Sequence, residues 1–412
     1  MLKVADKVAV TDVQVAPMPG TAGRRAHADL ELTVLMPCLN EAETIGTCIR
    51  KARRAMRAHG VAGEVLVADN GSTDGSRQIA VEFGARVVTV EARGYGNALM
   101  GGIEAARGKF IIMGDADESY DFQEIPKIIE KLREGYALVQ ACRLPAGGGT
   151  IKPGAMPFLH RWLGNPIFSF LVRRMFGAPI HDVYCGMRGF TRQMYWRLDQ
   201  RCTGMEFATE MIIKATLQGE KICEVPITLH RDGRKARSGH LKTFHDGWRT
   251  LRFYLMSSPR WLFMIPGLAL IGLGGIGYGL VFSRLSISGI AFDAHSLLFA
   301  SLFVMLGYQS IAFAILSKTF AVSERLLPED PWLNRFFGVF NLERGLILSA
   351  LAVVAGSCLL VVAINQWRLA GFGRLDYART MRWVIPGVTM TALGFQTFLF
   401  GFFVSILGMR RR

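Results

Sequence analysis

Short apolar runs recur along the first third of the chain, at residues 32–36, 65–68, 86–90, 110–113 and 138–141, and each reads as a buried strand. Between them, amphipathic stretches ending near residues 58, 83 and 106 carry helical periodicity. Strands separated in this way predict a parallel sheet with covering helices, an α/β Rossmann-like domain. In such sheets ligands gather at the carboxyl ends of strands. The strand-end loops are therefore expected to converge on one rim, with Asp69, Gly94 and Asp115 in one crevice.

The pattern then changes. Residues 157–176 mix aromatics (Phe158, Trp162, Phe168, Phe170, Phe176) with Arg161, Arg173 and Arg174. In residues 240–255, Phe244, Trp248, Leu251 and Leu255 recur at spacings of four, three and four, which predicts an amphipathic helix at a membrane surface. Four stretches follow, 261–282, 297–316, 346–364 and 384–407, each long and apolar enough to cross a bilayer. The expected organisation is a flexible N-terminal extension (1–28), a catalytic α/β domain (29–238) with a membrane-interface segment at 157–176, an amphipathic interface helix (239–258), and an all-α transmembrane bundle of four helices (259–412).

Composition sharpens this only in part. The 412 residues are 50% hydrophobic and 20% charged, with net charge +15 and a mean hydropathy of +0.27. The positive charge suits anionic substrates or a membrane surface. It argues against nucleic acid, because the arginines are scattered and no dense basic tract occurs. The seven cysteines form no C-x-x-C pair, so they read as reduced, small apolar residues rather than a disulfide framework or zinc site.

Chemistry concentrates at Gly114-Asp115-Ala116-Asp117, where a strand ends in two carboxylates two residues apart. Such a pair either shapes a turn and caps the next helix, or holds a divalent cation, Mg²⁺ or Mn²⁺, against a diphosphate. Asp69, at another strand end, can accept from a base imide or cap its own turn. Four motifs stand in order: Pro37-Cys38-Leu39-Asn40-Glu41, Asp69-Asn70-Gly71-Ser72-Thr73-Asp74-Gly75-Ser76, Arg93-Gly94-Tyr95-Gly96-Asn97 and the acidic pair. Together they resemble the inverting glycosyltransferase family 2, with its A-type nucleotide-sugar fold. More narrowly they are similar to the dolichyl-phosphate mannosyltransferase and polyprenyl-phosphate glycosyltransferase group. The resemblance covers about residues 30–255 and includes Asp182-Val183-Tyr184-Cys185-Gly186-Met187-Arg188-Gly189-Phe190 and the basic stretch from Arg234 to Ser238. Cys185 stands where the group has serine, and Ser119 where members can carry a metal-contacting glutamine.

The resemblance implies a donor pocket made by Pro37, Asn40, Glu41, Asp69, Gly94, Gly96 and Asp115. It implies a cation held by Asp115 and Asp117 with Ser119 beside them. Arg143 and Arg161 are expected at the acceptor phosphate, with Arg188, Arg234 and Arg237 as further phosphate partners. Asp182 and Glu210 are the candidate bases if one is needed, but the role expected of Asp182 is structural, holding Arg188 or a neighbouring cation in place. The expected activity is inverting transfer of a hexose from a GDP-mannose or UDP-glucose type of donor to a dolichyl or undecaprenyl phosphate. Because activated sugars are cytosolic, the domain is expected to face the cytoplasm from the cell membrane. Two alternatives stay open, a transferase with a lipid or polysaccharide hydroxyl acceptor, and an inactive scaffold or transporter of lipid-linked sugar. A homo-oligomer is compatible with either.

Overall fold

The computed structural model of the chain describes residues 10–12, 30–234, 243–283, 286–287, 290–324 and 327–408. It divides after Phe253 into two compact units. The first is built on β1 (Val10–Asp12), β2 (Leu32–Cys38), β3 (Gly63–Asp69), β4 (Arg86–Val90), β5 (Phe110–Met113), β6 (Leu138–Cys142), β7 (Thr150–Ile151), β8 (Arg188–Thr191), β9 (Ile222–Pro226) and β10 (Thr228–Leu229). Eight of these form one sheet in the order β1-β4-β3-β2-β5-β8-β6-β9, while β7 and β10 pair separately. The helices are α1 (Ile45–Ala58), α2 (Ser76–Glu82), α3 (Tyr95–Ala105), α4 (Ile125–Arg133), α5 (Asn165–Phe176), α6 (Arg192–Leu198), α7 (Phe207–Leu217) and α8 (Thr243–Met256).

The first three βα repeats follow from pattern. β2, β3 and β5 are apolar because helices cover both their faces, and the register is parallel, with Val34 opposite Val65 and Ile112. α1 places Ile45, Cys48, Ile49, Ala52 and Met56 on one buried stripe and leaves its arginines outside. From β2 the chain moves outward to β3 and β4. It then returns through α3 to β5, on the other side of β2. The loops after β2 and β5 therefore flank a topological switch point, where open α/β sheets bind ligands.

Two expectations change. The sheet is mixed, since β8 lies antiparallel between β5 and β6. Its sequence, Arg188-Gly189-Phe190-Thr191, shows no apolar run, and Gly189 is there for packing: a Cβ would come within 2.4 Å of Ile128 on α4. Within the expected loose extension, Val10–Asp12 pairs antiparallel with β4.

The second unit holds α9 (Ile265–Ser283), α10 (Ala294–Ser323), α11 (Pro331–Val339), α12 (Leu342–Leu369) and α13 (Tyr377–Gly408). Four segments have the length and hydropathy to cross a membrane: Arg260–Ser283, Ala294–Ser323, Leu342–Leu369 and Tyr377–Leu407. Small residues let the helices approach closely. A Cβ on Gly307 would fall 2.6 Å from the Gly267 carbonyl, and one on Gly356 would fall 2.7 Å from that of Gly387. Among the described residues, hydroxyls make interhelical hydrogen bonds, such as Tyr278 with Ser301 and Tyr308 with Thr397, both at 2.6 Å.

Candidate active site

Three strand-end loops are stitched together before any ligand arrives. Asn40, in the left-handed region at φ 60°, donates its own N–H to the Ser72 hydroxyl (2.9 Å) and accepts from the Thr73 N–H at its side-chain oxygen (2.8 Å). The Glu41 N–H donates to the Ser76 hydroxyl and the Ala42 N–H to Asp74. Asn70 donates to the carbonyls of Val90 and Ala92 and accepts from the Gly94 N–H at 2.8 Å. The motifs of β2, β3 and β4 are thus one hydrogen-bonded unit. Asn70, Ser72, Asp74 and Ser76 do this work, which motif reading alone did not assign to them.

Asp69 resolves towards its turn. It is fully buried and accepts from the N–H groups of Gly71 and Ser72 at 3.2 Å. Its oxygens hold the turn, with Arg77 Nε 3.8 Å from Oδ2, and a carboxylate has further lone pairs with which the expected contact to a base can be made. Gly94 and Gly96 also serve packing: a Cβ on either would collide with the Thr203 or Cys202 carbonyl, at 2.7 and 2.6 Å. They admit a backbone neighbour, whereas the expected neighbour was the donor.

At the switch point the acids converge. The Arg234 guanidinium donates to Glu41 (3.2 Å), Asp117 (2.8 Å) and Asp232 (2.9 Å). Burial, with Asp117 and Asp232 nearby, pushes the Glu41 carboxyl up to about 7 against the pull of Arg234. Burial and then Asp117 push Asp115 up to about 6, while the Tyr95 hydroxyl, donating at 3.0 Å, opposes the shift. Ser119 donates its hydroxyl to Asp117 at 2.5 Å, so it braces that carboxylate, and its oxygen keeps lone pairs for the cation contact expected of it. Among the described residues no group of three or more His, Cys, Asp or Glu forms a ready-made metal site. The donor set still fits Mg²⁺ or Mn²⁺. Its oxygens are hard, it already draws one internal cation, and Mg²⁺ commonly takes only one or two carboxylates together with substrate phosphates and water.

On the other side of the crevice, Arg143 and Asp182 form a buried bidentate pair. Nε lies 2.7 Å from Oδ2 and Nη2 lies 2.9 Å from Oδ1, and the Arg143 N–H adds a third bond. Asp182 is itself set by Glu224, which accepts from the N–H groups of His181 and Asp182. Arg143 Nη1 reaches the Tyr120 hydroxyl at 3.4 Å, and that hydroxyl accepts from the Gly186 N–H. A Cβ on Gly186 would meet Asp115 Oδ2 at 2.6 Å and the Tyr120 hydroxyl at 3.2 Å. Asp115 and the Tyr120 hydroxyl that Arg143 reaches therefore adjoin the same glycine.

Arg188 is a correction. It is fully buried, and its guanidinium donates to the carbonyls of Ala208 and Cys185. It ties β8 to α7 and has no surface for a phosphate. Asp182 holds Arg143, not Arg188. Arg161 sits over Trp162, 5.3 Å from the ring, within an exposed aromatic patch of Phe158, Trp162 and Phe170. In α8 Trp248 is exposed while Thr250 and Tyr254 are buried, and Arg249 pairs with Glu206. Arg237 lies outside the described residues.

An A-type glycosyltransferase fold carried with helices of membrane-spanning length is what these observations define. The chain matches the profile described as Glycosyl transferase family 2 over residues 33–199, and the Glycosyltransferase family 2 C-terminal transmembrane region over residues 315–408. It is 36% identical over 379 residues to the low-salt glycan biosynthesis hexosyltransferase Agl6 of Haloferax volcanii, covering 92% of this chain and 89% of that one. The chain belongs to glycosyltransferase family 2 and is a membrane glycosyltransferase. It is also 32% identical over 198 residues to a dolichyl-phosphate hexose transferase of the same organism, covering 48% of this chain and 82% of that one. Among solved structures, glucosyl-3-phosphoglycerate synthase from Mycobacterium tuberculosis with Mn²⁺, UDP and glucosyl-3-phosphoglycerate is similar at 21% identity and a TM-score of 0.43, covering 56% of this chain and 80% of that one.

Proposed function

We propose that the chain transfers a hexose, with inversion, from a GDP- or UDP-linked donor to a polyprenyl phosphate at the cytoplasmic face of the membrane. One observation supports the choice of acceptor: the two acids expected as bases from the sequence, Asp182 and Glu210, are already spent. Asp182 is buried against Arg143. Glu210 is buried, accepts from the N–H groups of Arg201 and Cys202, and pairs with Lys214. A hydroxyl acceptor needs a general base. A phosphate monoester, with a second pKa of about 6, arrives already charged. What it needs is a positive group, and the long contact from Arg143 Nη1 to Tyr120 is one that a phosphate oxygen can replace. The names of the two Haloferax relatives, one a hexosyltransferase and one acting on dolichyl phosphate, agree with this reading.

Asp115 and Asp117 would hold Mg²⁺ or Mn²⁺, whose charge would offset that of the departing nucleoside diphosphate. Asp182 fixes the plane of Arg143, and Arg143 orients the acceptor phosphate so that its oxygen faces the anomeric carbon. Arg234, freed from its carboxylates, turns to the diphosphate. No proton has to be removed from the nucleophile, so no residue acts as a base.

The test supplies purified full-length protein with polyprenyl phosphate, Mn²⁺ and a panel of UDP- and GDP-sugars, and follows glycolipid formation. An acid-labile sugar-phosphate product supports the reading. Product formed only with diacylglycerol, ceramide or a glycan as acceptor, or no product with any donor, overturns it.

A further inference from the structure

The acidic pair is held asymmetrically, and the residue responsible lies in the glycine loop. Tyr95 opens α3 directly after Gly94, whose φ of +132° turns the chain there. The loop cannot shift freely. Asn70 accepts from the Gly94 N–H, Asn97 donates to the Arg93 carbonyl, and the Asn97 N–H donates to Thr203. From this fixed base the Tyr95 hydroxyl donates to Asp115 Oδ1 at 3.0 Å. Asp115 Oδ2 faces the Cα of Gly186, where a methyl group would sit 2.6 Å away. The carboxylate is thus gripped between a hydroxyl on one side and a glycine on the other. Asp117 is held differently, by the Ser119 N–H and hydroxyl of its own turn and by Arg234.

We propose that Tyr95 is a positioning residue that sets the Asp115 carboxylate in the orientation that receives the divalent cation, and that Gly186 preserves that orientation by leaving room for Oδ2. The inference rests on the reading of Asp115 and Asp117 as cation ligands. Its physical basis is that hydrogen bonds to a ligating carboxylate fix its orientation before the metal binds, and losing such a partner costs roughly 10- to 100-fold in metal affinity. Tyr95→Phe removes the hydroxyl and keeps the ring. Gly186→Ala keeps the hydroxyl and pushes Oδ2 away from the other side, so each variant checks the other.

The experiment measures Mn²⁺ binding to full-length protein by electron paramagnetic resonance, alone and with UDP or GDP, alongside melting temperatures in EDTA. Both variants are expected to weaken Mn²⁺ by about tenfold or more, with the EDTA melting temperature of Y95F near that of the parent. Excess Mn²⁺ is expected to restore the transfer rate of Y95F. Mn²⁺ affinity within twofold of the parent in Y95F, while Asp115→Asn abolishes binding, overturns the role of Tyr95 alone. Mn²⁺ binding that is absent from the parent, or indifferent to D115N, overturns the cation reading beneath it.

Discussion

The Arg234 guanidinium donates to the Asp117 carboxylate at 2.8 Å across 117 residues of sequence. If Asp117 holds the cation, as proposed, that ligand enters the reaction already neutralised by the protein's own positive charge, and Glu41 shares the same guanidinium. A divalent cation arriving alone has to displace it, whereas one arriving with a diphosphate offers Arg234 a new partner. Arg234→Gln is expected to raise Mn²⁺ affinity severalfold without nucleotide, the scale of a charge pair of about 1 kcal/mol. With UDP or GDP present it is expected to lower the affinity of the complex. Calorimetry in the two conditions reads the change of sign, and a uniform shift in one direction would contradict it.

Burial of the Arg143–Asp182 pair makes a second expectation. Removing one partner leaves the other as an uncompensated buried charge, at a cost of about 3 kcal/mol or more. Asp182→Asn is expected to lower stability in urea unfolding, and to raise KM for the acceptor more than KM for the donor. If Asp182 were a base, the substitution would instead erase the acid limb of the pH–rate profile and leave KM largely unchanged.

Protonation of Asp115 and Glu41 sets the pH response. Their folded-state values, about 6 and about 7, lie above the ordinary 3.8 and 4.5. Between those limits the folded chain binds more protons than the unfolded chain, so stability from these groups falls as pH rises. It is fully present below the ordinary values and lost above about 7. A cation needs the carboxylates ionised, so its benefit runs the opposite way. Melting curves of the metal-free protein are expected to decline from pH 5 to 8, and the increment from added Mn²⁺ to grow over the same range. Glu41→Gln should flatten the upper part of the decline. A metal-free curve that rises through this range would refute the assignment.

Arg188 illustrates how far motif reading reaches. Its place in Gly186-Met187-Arg188-Gly189-Phe190 marks the segment as special, but not which way the side chain points. The backbone carbonyls that it satisfies belong to Cys185 and Ala208, and the second is remote in sequence. β2 to β5 were legible because apolar runs and helical stripes are local signals. β8 was not, because its pairing is paid for by neighbours rather than by its own apolar residues. Asp69 and Gly94 were legible as a rim and not as roles, since a carboxylate that caps a turn and one that reads a base share the same sequence. Arg188→Lys is expected to cost about 2 kcal/mol, the scale of two lost charge-assisted bonds to buried carbonyls, while leaving acceptor KM unchanged in the folded fraction.

The exposed aromatics give the last expectation. Phe158 and Trp162 are 77% and 62% exposed, and their rings lie 6.5 Å apart, beside Arg161. Exposing such side chains to water costs folding nothing that their removal would not recover, so they are not there for the core. Rings and a cation together suit the headgroup region of a bilayer, where the apolar faces enter lipid and the guanidinium meets phosphate. Replacing Phe158 and Trp162 together by alanine should leave the urea midpoint within the scatter of ordinary surface changes, about 0.5 kcal/mol. Transfer to a short, water-soluble isoprenyl phosphate should be unaffected. Transfer to a long polyprenyl phosphate in vesicles should fall severalfold through KM, because only that substrate has to be met at the membrane surface. Equal losses on both acceptors would assign the two aromatics to the catalytic crevice instead.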